Sequence, residues 1–187
     1  MRLLAVSGSL RAVSVNSALL RAAARLAPPG IEVLWCSGLG ELPLFNPDLE
    51  GDPSAAVQQF RAQVAQADAL LIASPEYAHG MTGTIKNALD WLVSFEPFAY
   101  KQVAVLNASP RAHHADAALR EVLTTMAAEI VEPASITLPL VGARLDEDGM
   151  VTTPAVATAI QTALQALADA VVARRAGPTG MLAAHPL

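Results

Sequence analysis

Short apolar runs alternate with stretches of helical periodicity along this chain. The runs are RLLAV (Arg2–Val6), IEVLW (Ile31–Trp35), ALLIA (Ala69–Ala73), QVAVLNA (Gln102–Ala108) and ASITLPLV (Ala134–Val141). They contain little polar alternation, which predicts strands buried on both faces, as in a parallel sheet. Between them, apolar residues recur at three- and four-residue spacing. Asn16–Leu26 places Leu19, Leu20, Ala23 and Leu26 on one face, and Ala55–Ala67 does the same with Val57, Phe60 and Val64. Thr84–Val93, Asp116–Ala127 and Ala155–Val172 repeat the pattern. Ser54 is placed to cap the second helix, and Thr153-Pro154 reads as a cap followed by a first-turn proline. Five strands alternating with five helices, joined by right-handed crossovers, predict a three-layer α/β/α sandwich. Residues 1–175 read as a single domain, and 176–187 as an irregular tail without periodicity.

Composition narrows the classes. Hydrophobic residues make up 53% and aromatics only 4%, so Ala, Leu, Val and Ile must build the core. A net charge of −5 argues against nucleic acid or an anionic membrane surface as a partner. An anionic ligand would have to be held locally against that field. The single cysteine, Cys36, allows no intrachain disulfide and reads as a small buried hydrophobe. No apolar run approaches the roughly 20 residues needed to span a bilayer. The first apolar run breaks at Ser7, too early for a signal peptide. The expectation is a soluble cytoplasmic protein.

In an open parallel sheet, ligands bind beyond the carboxyl ends of the strands, where the strand order reverses. For five strands in the order 2-1-3-4-5, that point is flanked by SGSLRAVSVNS after the first strand and SPEYAHGMTG after the third. ASPRAHHAD, after the fourth, lies beside them. The first loop is rich in hydroxyls and leads into a helix. Free N–H groups at a helix start and the positive end of its dipole favour an anion. Ser7, Ser9, Ser14 and Ser17 offer hydroxyl donors, Asn16 an amide and Arg11 a forked guanidinium, a set suited to a phosphate monoester. The same serines and Asn16 would also serve simply to cap a helix. The chain lacks Gly-x-Gly-x-x-Gly and Gly-Lys-Ser/Thr, the fingerprints of dinucleotide and nucleoside-triphosphate loops.

GSLRAVSVNSALL and PEYAHGMTGTIKNALDW together resemble the NADPH-dependent FMN reductases of the flavodoxin-like class, a family that includes quinone, azo-dye and chromate reductases. The resemblance is strong over roughly the first 110 residues and continues through topology alone. It implies FMN as cofactor and NADPH or NADH as reductant. Ser9, Arg11, Asn16 and Ser17 would hold the flavin phosphate, with Ser14 adding a hydroxyl. Pro75, Glu76, Tyr77, Ala78, His79 and Gly80 would run along the isoalloxazine ring, presenting backbone N–H groups to its polar edge. Tyr77 would either pack by the ring or wedge beneath the loop. Ser109 and Arg111 would reach the pyrimidine side. A homodimer or homotetramer and a small-molecule electron acceptor are implied as well.

The chain departs from the family pattern in places. Ala78 stands where Asn is common, which shifts any contact there to the backbone. Thr82 stands where Pro is common, which predicts a looser start to the following helix. His113 and His114 replace an open glycine-rich path in the third loop. His79, His113 and His114, with Glu76 and Asp116 near them in sequence, match no metal-ligand spacing. The Gly-x-Ser-x-Gly elbow of a hydrolase is absent. Trp91, Phe95, Phe98 and Tyr100 are expected to line the substrate mouth or a subunit interface. The alternatives to an enzyme are a flavin-binding electron carrier and a relative that no longer holds flavin.

Overall fold

The computed structural model describes residues 1–177; the expected irregular tail lies, beyond Gly177, outside the described residues. In chain order the elements are β1 (Arg2–Ser7), α1 (Val15–Leu26), β2 (Glu32–Trp35), α2 (Ala55–Gln66), β3 (Ala69–Ala73), β4 (Glu76–Tyr77), β5 (Gly80–Met81), α3 (Gly83–Asp90), β6 (Gln102–Val105), α4 (His113–Thr125), β7 (Glu129–Ile130), α5 (Leu140–Ala143), α6 (Glu147–Thr152) and α7 (Pro154–Ala176). Five strands form a parallel sheet in the order β2-β1-β3-β6-β7. This is the expected flavodoxin-like arrangement, with the order reversing between β1 and β3.

The pleat sorts side chains between two cores. Leu4 and Val6 of β1, Leu70 and Ile72 of β3, and Val103 and Val105 of β6 pack under α2, α3 and α4. Their neighbours Leu3, Ala5, Leu71, Ala73 and Ala104 face α1 and α7. The three central strands are therefore buried on both faces, as their composition predicts. The edge strand β2 is not: Leu34 is 38% and Trp35 45% exposed.

The fifth strand departs from its predicted place. Pairing with β6 occurs at Glu129–Ile130, ahead of the predicted Ala134–Val141. Pro133 sits in a tight turn, Glu132–Ala134, and lacks the N–H a ladder needs. The Ser135 hydroxyl takes over, accepting from the Val105 N–H at 3.1 Å and donating to the Val131 carbonyl at 3.0 Å. The chain then rejoins the sheet through one bridge, Asn107 to Thr137. Leu140 onwards is helical. Helix α7, with 23 residues and a mean hydropathy of 1.4 over its most apolar window, is long and apolar enough to cross a membrane by composition alone. This corrects the expectation that no stretch is apolar enough: Thr and Gln punctuate the helix without lowering its mean hydropathy far. Its Ile160, Leu164, Leu167 and Val171 are packed into the core beside α1.

The aromatic residues after α3 are core rather than mouth. Trp91 and Phe98 are almost fully buried, and Phe95 packs against the same cluster. Trp91 meets Phe45 edge-on, with centroids 5.1 Å apart, and its indole N–H donates to the Pro43 carbonyl at 2.8 Å. Only Tyr100 is exposed, with the Arg174 guanidinium over its ring. Cys36 is buried as expected, and burial pushes its thiol pKa up to about 12.

Candidate functional site: a cleft at the strand-order reversal

The loops after β1 and β3 are stitched together where the sheet reverses. The Gly8 N–H donates to the Ala73 carbonyl at 2.8 Å. The Thr82 hydroxyl donates to the Gly8 carbonyl at 2.7 Å and accepts from the Ile85 N–H at 3.3 Å. Thr82 thus caps α3 and ties it to the first loop. It is 5% exposed, so the start of α3 is tightened where a looser one was expected. Gly8 leaves no room: a Cβ there would lie 2.3 Å from Ser74 Oγ and 2.7 Å from Ser74 Cβ.

The first loop folds on its own hydroxyls. Ser7 and Ser17 share a buried hydrogen bond of 2.8 Å, and the Ser9 N–H points back to Ser7 Oγ. Ser14 caps α1 by accepting from the Ser17 N–H at 3.4 Å. Ser14 and Ser17 therefore have structural work of their own. Asn16 does not. Its side chain makes no hydrogen bond to another described residue, although the residue is only 5% exposed and lines a cavity of about 290 Å³. Its amide is open to that cavity and not sealed in protein, which leaves both its donor and its acceptor for a ligand or water.

That cavity is the cleft between the three loops. Asn16, Pro75, Glu76, Ser109 and Arg111 line it, together with Asn107. Arg11 and Ser14 line a neighbouring cavity instead, which shares Val15 and Val141 with the first. Ser9 lies on the loop between the two, half-buried. Asn107 was not singled out from the sequence. It is 7% exposed, accepts from the Ser109 N–H at 3.0 Å and donates to the Ala112 carbonyl at 3.3 Å, so it sets the third loop. The signal was there: a lone amide at the end of a buried strand, just before Ser-Pro.

Residues 76–81 form a hairpin, β4 against β5, that was not anticipated. Ala78 and His79 make its two-residue turn with φ of 50° and 59°. Such turns favour Asn and Gly, because other residues pay in sterics at positive φ. The Asn that the family resemblance leads one to expect at position 78 would therefore suit the backbone itself. The N–H groups of Ala78 and His79 donate to no other described residue. Tyr77 is 53% exposed, so it does not wedge beneath the loop.

Glu76 reaches across the cleft to α4. Its carboxylate accepts from the Ala115 N–H at 2.9 Å, and that bond holds its pKa below the usual carboxylate range. The His114 N–H and the imidazoles of His114 and His79 act in the same direction, while desolvation opposes them. Ala112, the local cap position of α4, supplies no side-chain bond. A capping carboxylate from another loop explains why the helix begins at His113, ahead of the predicted Asp116. The rings of His79 and His114 lie 4.5 Å apart, and those of His113 and His114 4.1 Å. Among the described residues, no group of three or more His, Cys, Asp or Glu side chains is arranged to hold a metal ion.

The sequence model for the NADPH-dependent FMN reductases matches residues 1–141. The chain belongs to this family. Over 112 residues it is 45% identical to an NAD(P)H-dependent FMN reductase of Pseudomonas aeruginosa, covering 58% of this chain and 60% of that one. Over 95 residues it is 43% identical to an NADPH:quinone oxidoreductase of Arabidopsis thaliana, covering 48% of each. The chain spans between about half and three-fifths of the length of these curated relatives. Among solved structures it superposes on FerB, a flavoenzyme NAD(P)H:(acceptor) oxidoreductase of Paracoccus denitrificans, with a TM-score of 0.75 and 26% identity. That match covers 92% of this chain and 97% of the other. The loops that carry the FMN reductase resemblance are the two that Thr82 and Gly8 join.

Proposed function

We propose that this chain is an FMN-dependent NAD(P)H oxidoreductase that passes electrons to a small acceptor such as a quinone, a free flavin, an azo compound or a metal oxyanion. Its home is the cytoplasm, as a homodimer or homotetramer. The observation that carries the reading is Asn16: an amide that bonds to no other described residue and opens into a cleft walled by both family loops. Family membership and the likeness to an NAD(P)H:(acceptor) oxidoreductase support it.

The residues present fit a flavin phosphate and ring. Arg11, with no ion-pair partner among the described residues, and the amide of Asn16 at the α1 N-terminus suit the phosphate. The N–H groups of Ala78 and His79 suit the polar ring edge, and Ser109 and Arg111 the pyrimidine side. FMN, once held by these residues, would supply the redox chemistry between NAD(P)H and the acceptor. The chain's part is to bind, orient and surround it with donors that favour negative charge on the reduced ring. Glu76 is committed to α4, which leaves it to shape the cleft rather than to move protons.

FMN titration of the purified protein, followed by flavin fluorescence and by NAD(P)H oxidation, tests the reading. Binding should quench fluorescence. Arg11→Ala and Asn16→Ala should each weaken FMN at least tenfold, whereas Leu10→Met should not. Equal affinities across the three variants would overturn the phosphate assignment. Flavin binding without any NAD(P)H oxidation would make the protein a carrier.

A further inference from the structure

Lysine is scarce in this chain: Lys86 and Lys101 are the two side-chain amines of its sequence. They keep different company. Lys86 is ion-paired with Asp90 at 2.6 Å on the surface of α3. Lys101 stands just before β6, at the amino ends of the strands and so at the opposite end of the sheet from the cleft, and it is half-buried. Its ammonium donates to the Ala67 carbonyl at 2.8 Å and, among the described residues, has no carboxylate within ion-pair distance. That bond gives Lys101 a structural task, since Ala67 caps the C-terminal end of α2. It occupies one of three N–H donors.

A cavity of about 460 Å³ opens beside Lys101, bordered by Asp68, Tyr100, Gln102, Arg174 and Arg175. The acids around it are already engaged. Asp68 accepts from the Arg2 N–H at 2.7 Å through one oxygen and pairs with Arg175 through the other. Glu129 pairs with Arg174 through one oxygen and accepts from the Gln102 amide through the other. Each guanidinium reaches its carboxylate through a single nitrogen, which leaves part of each fork for a further anion. Arg174 is also laid over the Tyr100 ring, 5.4 Å from its centroid. Burial holds the Lys101 pKa below the usual lysine range, and the nearby Asp68 charge offsets only part of that. More of this amine is therefore neutral and nucleophilic near pH 7 than an exposed lysine offers.

We propose that Lys101 is a modification site, acylated by small acyl phosphates whose phosphoryl group is received by Arg174 and Arg175. In this step the neutral amine attacks the acyl carbonyl. A C–N bond forms and the C–O bond to phosphate breaks. Phosphate leaves with the electron pair, and the surplus proton on nitrogen passes to water. Acylation removes the charge and takes a donor from the Ala67 carbonyl, so it loosens the junction between α2 and β3. The site stands apart from the flavin cleft and does not depend on how that cleft is read.

Treatment of the full chain with acetyl phosphate near neutral pH, followed by peptide mass spectrometry over time, tests this. Lys101 should be acetylated at least about tenfold faster than Lys86. Inorganic phosphate should slow Lys101 and leave Lys86 unchanged. The chain unfolded in urea should label both at one rate. Arg174→Gln combined with Arg175→Gln should bring Lys101 toward the Lys86 rate; competition by phosphate in the parent reads the same contact without any substitution. The acetylated chain should melt below the parent. Lys101→Arg, which keeps the charge and the donor but takes no acyl group, should melt the same before and after treatment. Equal rates in the folded chain, faster labelling of Lys86, a Lys101 preference untouched by inorganic phosphate, or one that survives unfolding would each overturn the assignment.

Discussion

Gly8 shows how much one missing carbon can hold together. Its amide and carbonyl join the β1 and β3 loops, and its Cα sits against Ser74. A methyl at this position would overlap Ser74 Cβ at 2.7 Å, which rotation of the hydroxyl cannot relieve. Gly8→Ala should therefore cost about 1–3 kcal/mol of stability by overpacking and weaken FMN by spreading the cleft. Gly51→Ala, with nothing within 4 Å, is the matched control. Urea unfolding and FMN titration of the pair check both effects; equal stability would contradict the stitching. Glu76 adds a pH dependence at the same scale. Its folded pKa lies below its unfolded one, chiefly through the Ala115 N–H. The stability it contributes is thus present above the ordinary carboxylate pKa and is lost as pH falls through the lowered value. Glu76→Gln should be less stable than the parent at pH 7, and the gap should close toward acid. A gap of constant size across thermal melts from pH 7 to 3 would show that the charge is not what matters.

At the scale of elements, the motif KNALDW turns out to anchor a loop. The Asn87 amide accepts from the Phe45 N–H at 2.8 Å and donates to the Pro43 carbonyl at 3.0 Å, and Trp91 donates to the same carbonyl. The long irregular segment 38–53 is thereby fixed to α3. Lys86 and Asp90 form the expected surface pair at 2.6 Å, worth a few tenths of a kcal/mol, roughly. Asn87→Ala would strand the Phe45 N–H and leave the Pro43 carbonyl to Trp91 alone, and should cost about 1–3 kcal/mol; Lys86→Ala should cost under about 0.5 kcal/mol. Chemical denaturation of the two variants separates them, and equal losses would argue against the anchor. Helical periodicity made the main helices legible because tertiary packing and local pattern agree there. The β4–β5 hairpin was not legible. Its turn is Ala-His rather than Asn-Gly, so the usual turn chemistry is missing. The start of α4 was hidden for a different reason: its cap, Glu76, lies 39 residues away. The broken fifth strand did carry a sign, Pro133, but the Ser135 hydroxyl that replaces the ladder could not be foreseen from spacing.

For the molecule as a whole, the predicted strand order holds, but the apolar runs taken one at a time do not tell a central strand from an edge strand. IEVLW and ALLIA look alike as apolar runs, yet β3 lies in the middle of the sheet and β2 at its edge. Burial follows that order. Leu71 is fully enclosed between β1, β6 and the helices of its face, whereas Leu34 is 38% exposed. The same order places the cleft, since the reversal between β1 and β3 is what leaves their loops free to diverge. Two substitutions of the same type should therefore differ sharply. Leu71→Ala removes side-chain volume from a close-packed interior and should cost about 2–5 kcal/mol. Leu34→Ala removes the same atoms from a partly wet surface and should cost under about 1 kcal/mol. Urea denaturation reads both, and the m-value should stay unchanged if each variant still unfolds from the same compact state. A loss at Leu34 as large as that at Leu71 would mean that the β2 edge is covered in solution, with the Leu34–Trp35 surface as the place to look for a second copy of the chain.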